Sequence, residues 1–321
     1  MTAPRTAATA ALSVRNELAF MFFPSVAPLR RAAYASAARV FAEANEALGV
    51  DLRRLCFEGP QAELDRTANT QPALLAASIA ALRAAEEESG ELAEPVVVLG
   101  HSLGEFSAIV AAGALPLRDA LRLVRRRGEL MQAADPAGGM AAVLGLDADA
   151  VARAIAGSPL VVANDNAPGQ VVISGPRDAL DRAGDALRAA GAKRVVGLRA
   201  SAAFHSPAIR AVASELRRAI DAATWSALRY PIVTNVDGSV HEHARELPEL
   251  LERQVWSPVQ WVLAMRRAAG EGASAFVEFG PGTVLTGLAK RILPDIVTAN
   301  VADAGTLRAA VPLVSTGGGS R

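Results

Sequence analysis

Cysteine is almost absent from this sequence, and neither sign of charge is in excess. The one cysteine, Cys56, excludes an internal disulfide framework and a metal site built from cysteines alone, and it suits a reducing cytoplasm. The formal net charge is +0, so bulk electrostatics favours neither nucleic acid nor an anionic membrane as a partner. No uninterrupted run of about 18 apolar residues is present to span a membrane. The composition therefore predicts a cytoplasmic globular protein.

The hydrophobic content is sufficient for a large core. Of the 321 residues, 51% are hydrophobic, which is enough for one large α/β core with a smaller satellite domain. Residues 1–17 are predicted to form a flexible leader, because they lack the long apolar segment of a signal peptide. Residues 313–321 end in glycine and serine and are predicted to form a disordered tail.

Two different orders of helix and strand occur along the chain. Apolar strands alternate with helical segments over residues 18–138 and again over 204–312, which predicts a parallel sheet covered by helices. Residues 139–203 follow the order β-α-β-β-α-β, which is typical of a ferredoxin-like subdomain. The sequence therefore predicts an α/β fold with an inserted α+β subdomain, and a cleft for a small molecule between the two.

A nucleophile elbow is indicated at residues 100–104, Gly-His-Ser-Leu-Gly. An apolar β-branched run precedes this motif and a helical pattern follows it, which is the context that a sharp strand-to-helix turn requires. The turn would expose the hydroxyl of Ser102, and the backbone N–H of Leu103 would point toward a developing oxyanion. This pattern favours nucleophilic catalysis by Ser102.

The sequence has four histidines from which a base for Ser102 can come. His101 is expected to pack or hydrogen-bond locally, because neighbouring side chains in an elbow point apart. His241 and His243 lie in a polar stretch with no third metal ligand at a recognisable spacing, so no metal site is predicted. His205 lies where the chain leaves the small subdomain at the cleft, and is the candidate base. Its orienting partner, a carboxylate or a carbonyl, stays open.

Three consecutive arginines, Arg125, Arg126 and Arg127, lie on a predicted helix. Because helical neighbours point about 100° apart, the three cannot all face one side. One of them facing the cleft would suit capture of a substrate carboxylate. The spacing alone does not exclude the alternative, in which all three arginines are solvated at the surface.

Together these residues resemble the malonyl-CoA:acyl carrier protein transacylase family and the related acyltransferase domains of polyketide synthases. The likeness runs from about residue 18 to about residue 301. The matching stretches are residues 59–60, 70–73, 100–108, 127–128, 166–175, 204–206, 235–236, 260–261 and 278–282. The resemblance implies a hydrolase-like large domain and a ping-pong reaction, in which malonyl-CoA acylates Ser102 and the acyl group then passes to the phosphopantetheine thiol of an acyl carrier protein.

The resemblance also implies roles for individual residues. Arg127 matches the arginine that pairs with the malonyl carboxylate, and Gln260 matches the residue whose carbonyl orients the catalytic histidine. Phe204 resembles the malonyl-selecting form of its segment, because a bulky ring leaves little room for a 2-methyl group; one methyl is worth about 1–3 kcal/mol. His101 and Asn166 are expected at the substrate site. No permanently bound cofactor is implied.

One stretch departs from the family pattern. The family carries a Gly-Gln-Gly-x-Gln loop after the first strand, and a backbone N–H of this loop completes the oxyanion hole. Here residues 24–28 read Pro-Ser-Val-Ala-Pro. The N–H of Val26 is the remaining candidate donor, since Pro28 has none. Losing one oxyanion donor costs about 10²–10³ in rate.

Three functions follow from these observations as alternatives. The first is a malonyl transferase that acts on a carrier protein in polyketide or fatty acid synthesis. The second, kept because of the altered loop, is a hydrolase that removes acyl groups from carrier proteins. The third is a weakly active component that only binds carrier proteins; the presence of Ser102, His205, Arg127 and Gln260 together argues against it. The chain is expected to be a monomer.

Overall fold

The computed structural model describes residues 17–22, 34–135 and 137–316. The strands are β1 Leu18–Phe22, β2 Pro95–Gly100, β3 Gly138–Leu144, β4 Val161–Ala167, β5 Gln170–Pro176, β6 Arg194–Gly197, β7 Ile232–Val233, β8 Val240–His241, β9 Ala275–Phe279 and β10 Val297–Val301. The α-helices are α1 Ala35–Leu48, α2 Leu52–Glu58, α3 Gln61–Leu64, α4 Thr67–Ser89, α5 Gly104–Ala111, α6 Leu117–Ala134, α7 Ala148–Ala154, α8 Arg177–Ala189, α9 Ala213–Asp221, α10 Leu247–Gln254, α11 Trp261–Gly270, α12 Val284–Ile292 and α13 Ala304–Val314. Two 3-10 helices cover Pro207–Val212 and Ala244–Glu246.

The large sheet has the strand order β10-β9-β1-β2-β7-β8. Every neighbouring pair in it is parallel except β7 with β8, which is antiparallel. All five residues of β1 and all five of β9 are buried, as expected for central strands covered by helices on both faces. Helices α1, α4, α5 and α6 contribute to the core on one face, and α11 and α12 contribute to the core on the other. The predicted parallel sheet covered by helices is confirmed.

The small sheet has the order β4-β5-β3-β6, and all of its neighbouring strands are antiparallel. With α7 and α8 it follows the predicted order β-α-β-β-α-β, and residues of both helices pack with the strands in one apolar cluster. The predicted fold class, an α/β domain with a small ferredoxin-like sheet, is therefore confirmed.

A segment from Gln254 to Gln260, called here the 254–260 segment, joins the small sheet to the large domain. Val259 donates its N–H to the carbonyl of Ala163 at 2.9 Å, and its carbonyl accepts from the N–H of Asp165 at 3.0 Å. Both of these partners belong to β4. The two sheets are thus connected by main-chain hydrogen bonds in addition to the two crossings of the chain.

The predicted chain ends differ from the structure where residues are described. The tail expected from residue 313 is wrong for residues 313–316, because α13 continues to Val314 and Ser315 forms a β-bridge with Leu92. Of the predicted leader, Glu17 donates its N–H to Ser274 Oγ at 3.0 Å, and residues 1–16 lie outside the described part of the chain. Within the described residues, no helix is both long enough and apolar enough to cross a bilayer.

Candidate active site

The turn between β2 and α5 places Ser102 at its tip. Ser102 has φ 51°, in the left-handed region that side chains rarely adopt. A Cβ added to Gly100 would lie 2.0 Å from the carbonyl carbon and oxygen of Gly104, so only glycine fits there. The turn is closed by the N–H of Gly104, which donates to the carbonyl of His101 at 2.9 Å. The motif thus forms the strand-turn-helix arrangement predicted for it.

His205 lies beside the hydroxyl of Ser102. Its Nε2 is 2.8 Å from Ser102 Oγ. Its Nδ1 lies 2.9 Å from the carbonyl of Gln254 and 3.2 Å from the carbonyl of Ser257. Because carbonyl oxygens only accept, Nδ1 carries the proton and the lone pair of Nε2 faces the hydroxyl. The ring is therefore held in the tautomer that a general base requires.

The orienting carbonyl comes from a different residue than the resemblance implied. The carbonyl of Gln260 accepts from the N–H of Ala264 at 2.9 Å, because Gln260 is the N-cap of α11 and its carbonyl begins the helix. Gln254 and Ser257, earlier on the same segment, supply the carbonyls to His205. Gln260 instead donates its N–H to the carbonyl of Asn235 at 2.9 Å.

Burial keeps His205 neutral. Desolvation first, and then the charge of Arg127, lower the pKa of His205 from 6.5 to about 3. The imidazole is 4% exposed. At neutral pH it is therefore an unprotonated base, ready to accept the proton of Ser102.

This pKa gives a stability prediction for His205→Asn, since asparagine tolerates the φ of 56° at this position. The folded-state pKa lies below the unfolded one, so the contribution of His205 to stability is present above pH 6.5 and is lost as pH falls toward 3. From about pH 7.5 to about pH 5, the free energy of unfolding of wild type relative to the variant should fall by about 2 kcal/mol. Chemical denaturation at both pH values measures it; a constant difference would contradict the assignment.

Arg127 points inward from α6 and carries a charge without a carboxylate partner in the described residues. Nη1 donates to Gln71 Oε1 at 2.7 Å, and Nη2 donates to Gln254 Oε1 at 3.0 Å and to Ser102 Oγ at 3.3 Å. Its Nε has no hydrogen-bond partner among the described residues. The side chain is 2% exposed, and burial lowers its pKa to about 10, so it is still a cation at neutral pH.

The two neighbouring arginines behave differently. Arg125 pairs with Glu129 at 2.9 Å, and Arg126 pairs with Glu129 and Glu215, all in partly exposed positions. Of the three consecutive arginines, one is thus turned toward the site and two are satisfied at the surface. A buried guanidinium held by amide and hydroxyl oxygens suits a ligand carboxylate, which would complete its charge pairing.

Of the two oxyanion donors expected from the sequence, Leu103 lies in the described part of the chain. The N–H of Leu103 has no hydrogen-bond partner among the described residues and is available to an oxyanion. The N–H of Ser102 is taken by Asn235 Oδ1 at 2.6 Å. Val26, expected as the second donor, lies outside the described residues.

The other expected substrate-site residues lie around the elbow. His101 Nε2 is 2.7 Å from Asn166 Oδ1 on β4, and its ring lies 5.4 Å from that of Trp261. Phe204, next to His205, is half-buried and packs against both the large core and a small cluster at Met140. His101 is thus held by a hydrogen bond to β4 of the small sheet and by ring packing.

Four polar residues of this site had no role assigned from the sequence: Gln71, Glu105, Asn235 and Gln254. The sequence pattern around Gln254 could have indicated that this residue has a polar role in the interior. It follows Leu247, Leu250 and Leu251 at helical spacing on α10, and all four are buried, so an amide occupies a core position. A buried amide at such a position requires polar partners.

Among the described residues, no group of three or more histidine, cysteine or acidic side chains is placed so that it could hold a metal ion. His241, one of the pair considered in the sequence, is held by Glu246 and Asp237 instead.

Known proteins share this architecture. The sequence profile of the family described as "Acyl transferase domain" matches residues 26–312. The chain is 42% identical over 277 residues to the malonyl CoA-acyl carrier protein transacylase of Salmonella typhimurium strain LT2, covering 84% of this chain and 89% of that protein.

Two solved structures are similar over most of the chain. The acyl-carrier-protein S-malonyltransferase of Burkholderia pseudomallei 1710b superposes with a TM-score of 0.88 at 40% identity, covering 92% of this chain and all of that one. A malonyl-transacylase solved in complex with its type II polyketide synthase acyl carrier protein superposes with a TM-score of 0.87 at 38% identity, covering 92% of this chain and 99% of that one.

Proposed function

The chain belongs to the acyl transferase domain family, and from this premise we propose that it transfers a malonyl group from malonyl-CoA to the phosphopantetheine thiol of an acyl carrier protein. The observation that carries the proposal is the position of Arg127, which is buried, has no carboxylate partner in the described part of the chain and lies 3.3 Å from the Ser102 hydroxyl. This hydroxyl is itself 2.8 Å from the unprotonated nitrogen of His205. A nucleophile, a base and a cation meet at one point. This combination suits an acyl group that carries its own carboxylate.

The first half-reaction follows from this geometry. His205 Nε2 takes the proton of Ser102 as the oxygen attacks the thioester carbonyl, and the N–H of Leu103 stabilises the resulting oxyanion. The C–S bond then breaks, and the proton on Nε2 passes to the leaving CoA sulfur. Malonyl-serine remains. Arg127 holds the far carboxylate of the acyl group during both steps.

The second half-reaction repeats these steps with another thiol. The phosphopantetheine sulfhydryl gives its proton to His205 Nε2 and attacks the ester carbonyl, and the serine oxygen leaves with that proton. Because the two steps use the same base and oxyanion donor, no other protein group has to move a proton.

The proposal also includes a location in the cytoplasm, a monomeric state and a role of Phe204 in acyl-group selectivity.

Mass spectrometry of the intact protein tests the function. Incubation with malonyl-CoA should give a malonyl adduct on Ser102, and addition of a holo carrier protein should move the adduct to the carrier. Release mainly as free malonate would instead favour the hydrolase that the unusual 24–28 sequence left open. Absence of any adduct would exclude both enzymatic functions.

Arg127→Ala is expected to lower acylation by malonyl-CoA about 100-fold more than acylation by acetyl-CoA, since a charge-assisted pair contributes about 1.5–3 kcal/mol. Arg126→Ala is the matched control, because its side chain is bound to Glu129 and Glu215 at the surface. Single-turnover acylation with both thioesters measures the ratio. Equal losses with the two thioesters would assign Arg127 a structural role only.

A further inference from the structure

Glu105 is a buried carboxylate that takes no part in the proton transfers described above. It is fully buried and lies in the first turn of α5, directly after the elbow. Its Oε2 accepts from Gln254 Nε2 at 2.8 Å and from the N–H of Asn235 at 3.1 Å, whereas Oε1 has no hydrogen-bond partner among the described residues. Burying a carboxyl group costs free energy that hydrogen bonds must offset, and in the described residues only one of its two oxygens has them.

The side-chain amide of Gln254 lies between Glu105 and Arg127. Its Nε2 donates to Glu105 Oε2 and to the carbonyl of Ser102 at 2.9 Å, and its Oε1 accepts from Arg127 Nη2 at 3.0 Å. The carbonyl of Ser102 can only accept, and Glu105 Oε2 also accepts from the N–H of Asn235, so two acceptors face the nitrogen and fix the orientation of the amide. Rotated by 180°, the amide would present N–H groups to a guanidinium that has only N–H groups.

We propose that Glu105 is a positioning residue for acyl-group selection: it orients the Gln254 amide so that its oxygen holds Arg127 toward Ser102, without placing a carboxylate on the guanidinium. This inference rests on the proposed function, in which Arg127 receives the malonyl carboxylate. A carboxylate in direct contact with Arg127 would pair with it and compete with the substrate. The neutral amide holds the cation in place and leaves its charge for the ligand.

Burial raises the pKa of Glu105 to about 7, and the hydrogen bonds from Gln254 and Asn235 and the charge of Arg127 oppose this rise without cancelling it. The geometry does not depend on the charge, because a proton on Oε1 leaves Oε2 as the acceptor for both donors.

Two substitutions of Glu105 distinguish the effect of its hydrogen-bond acceptor from the effect of its negative charge. In Glu105→Gln, one carbonyl oxygen can take the place of Oε2 and accept both bonds, so the Gln254 amide keeps its orientation. In Glu105→Met, no acceptor of comparable strength remains. We expect Glu105→Met to lower the ratio of malonyl to acetyl acylation rates about tenfold, mainly through KM for malonyl-CoA, and Glu105→Gln to restore the ratio to within about threefold of wild type.

A double-mutant cycle tests whether Glu105 acts through Gln254. Gln254→Met keeps the main-chain carbonyl that His205 needs, and in this background Glu105→Met should change the ratio less than about twofold further. A second tenfold loss there, an equal loss of malonyl and acetyl acylation in Glu105→Met, or no recovery in Glu105→Gln would each overturn the inference.

If Glu105→Met does not fold, Gln254→Glu provides an independent test. It puts a carboxylate on Arg127, and we expect the malonyl-to-acetyl ratio to fall about tenfold; an unchanged ratio would overturn the inference. Arg127→Ala in the same assay separates the two proposals. If Arg127→Ala loses malonyl selectively and the Glu105 variants do not, this inference alone fails. If Arg127→Ala is not selective, the assigned role of Arg127 fails first.

Discussion

Replacing Ser102 with alanine is expected to lower malonyl transfer to a carrier protein by about 10⁶-fold, because removal of the nucleophile from a serine–base pair removes the covalent path entirely. The hydroxyl oxygen is the atom that lies 2.8 Å from His205 Nε2 and 3.3 Å from Arg127 Nη2. No adduct should form with malonyl-CoA. Rapid-quench measurement of the transfer rate and intact-protein mass spectrometry give the two readouts.

Ser107→Ala is the matched control for this substitution. Ser107 lies on α5, the helix that follows the elbow, and is 1% exposed, so the same hydroxyl oxygen is removed close to the site from a position that is buried more deeply than the half-buried Ser102. Its transfer rate should stay within about threefold of wild type, as for a substitution outside the reacting groups. A malonyl adduct that persists on the Ser102→Ala protein would place the nucleophile elsewhere.

Gly100→Ala is expected to cost more than about 4 kcal/mol of stability or to prevent folding. The new Cβ would lie 2.0 Å from main-chain atoms of Gly104 and 2.4 Å from the N–H nitrogen of Glu105, and backbone atoms cannot rotate away as a side chain can. Relief of the clash requires the turn that carries Ser102 to open. Thermal and chemical denaturation, with activity as a second readout, measure the effect.

The same chemical change at Gly287 should have the opposite sign. Gly287 is exposed in α12, and a Cβ there meets no atom within 4 Å. Alanine is favoured over glycine inside a helix by about 1 kcal/mol, so Gly287→Ala should be slightly stabilising. If both variants unfolded at the same denaturant concentration as wild type, the tight turn at Gly100 would not exist as described.

The elbow and the two-sheet architecture could be predicted because they are encoded locally. A β-branched run, two glycines and a helical pattern specify the turn at Ser102 without reference to the rest of the chain. The order β-α-β-β-α-β likewise specifies the small sheet. His205 could be reached by elimination only because the sequence has four histidines.

The groups that orient these residues were harder to predict. Every residue has a main-chain carbonyl. The residue types therefore do not indicate whether the carbonyl of Gln254, Ser257 or Gln260 faces His205. The choice depends on where α10 ends and α11 begins, which sequence patterns locate to within only a few residues. Gln260 was the wrong choice because α11 starts there and uses its carbonyl.

The orientation of Arg127 also depends on tertiary contacts. Helical geometry required that its neighbours point elsewhere, yet it did not say which of the three arginines is buried. Gly128, the next residue, supplies the reason: a Cβ there would lie 2.6 Å from the carbonyl of Thr67, so this face of α6 is pressed against α4. Gln71 on α4 is consequently within reach of the Arg127 guanidinium.

The 254–260 segment has a mechanical consequence. Its carbonyls at Gln254 and Ser257 hold the base, and its Val259 is hydrogen-bonded into β4, the strand whose Asn166 holds His101 beside the nucleophile. A swing of the small sheet away from the large one would strain the supports on both flanks of Ser102 at once. The site around Ser102 is therefore expected to resist a hinge-like separation of the two sheets, because its supporting hydrogen bonds are already formed in the folded chain.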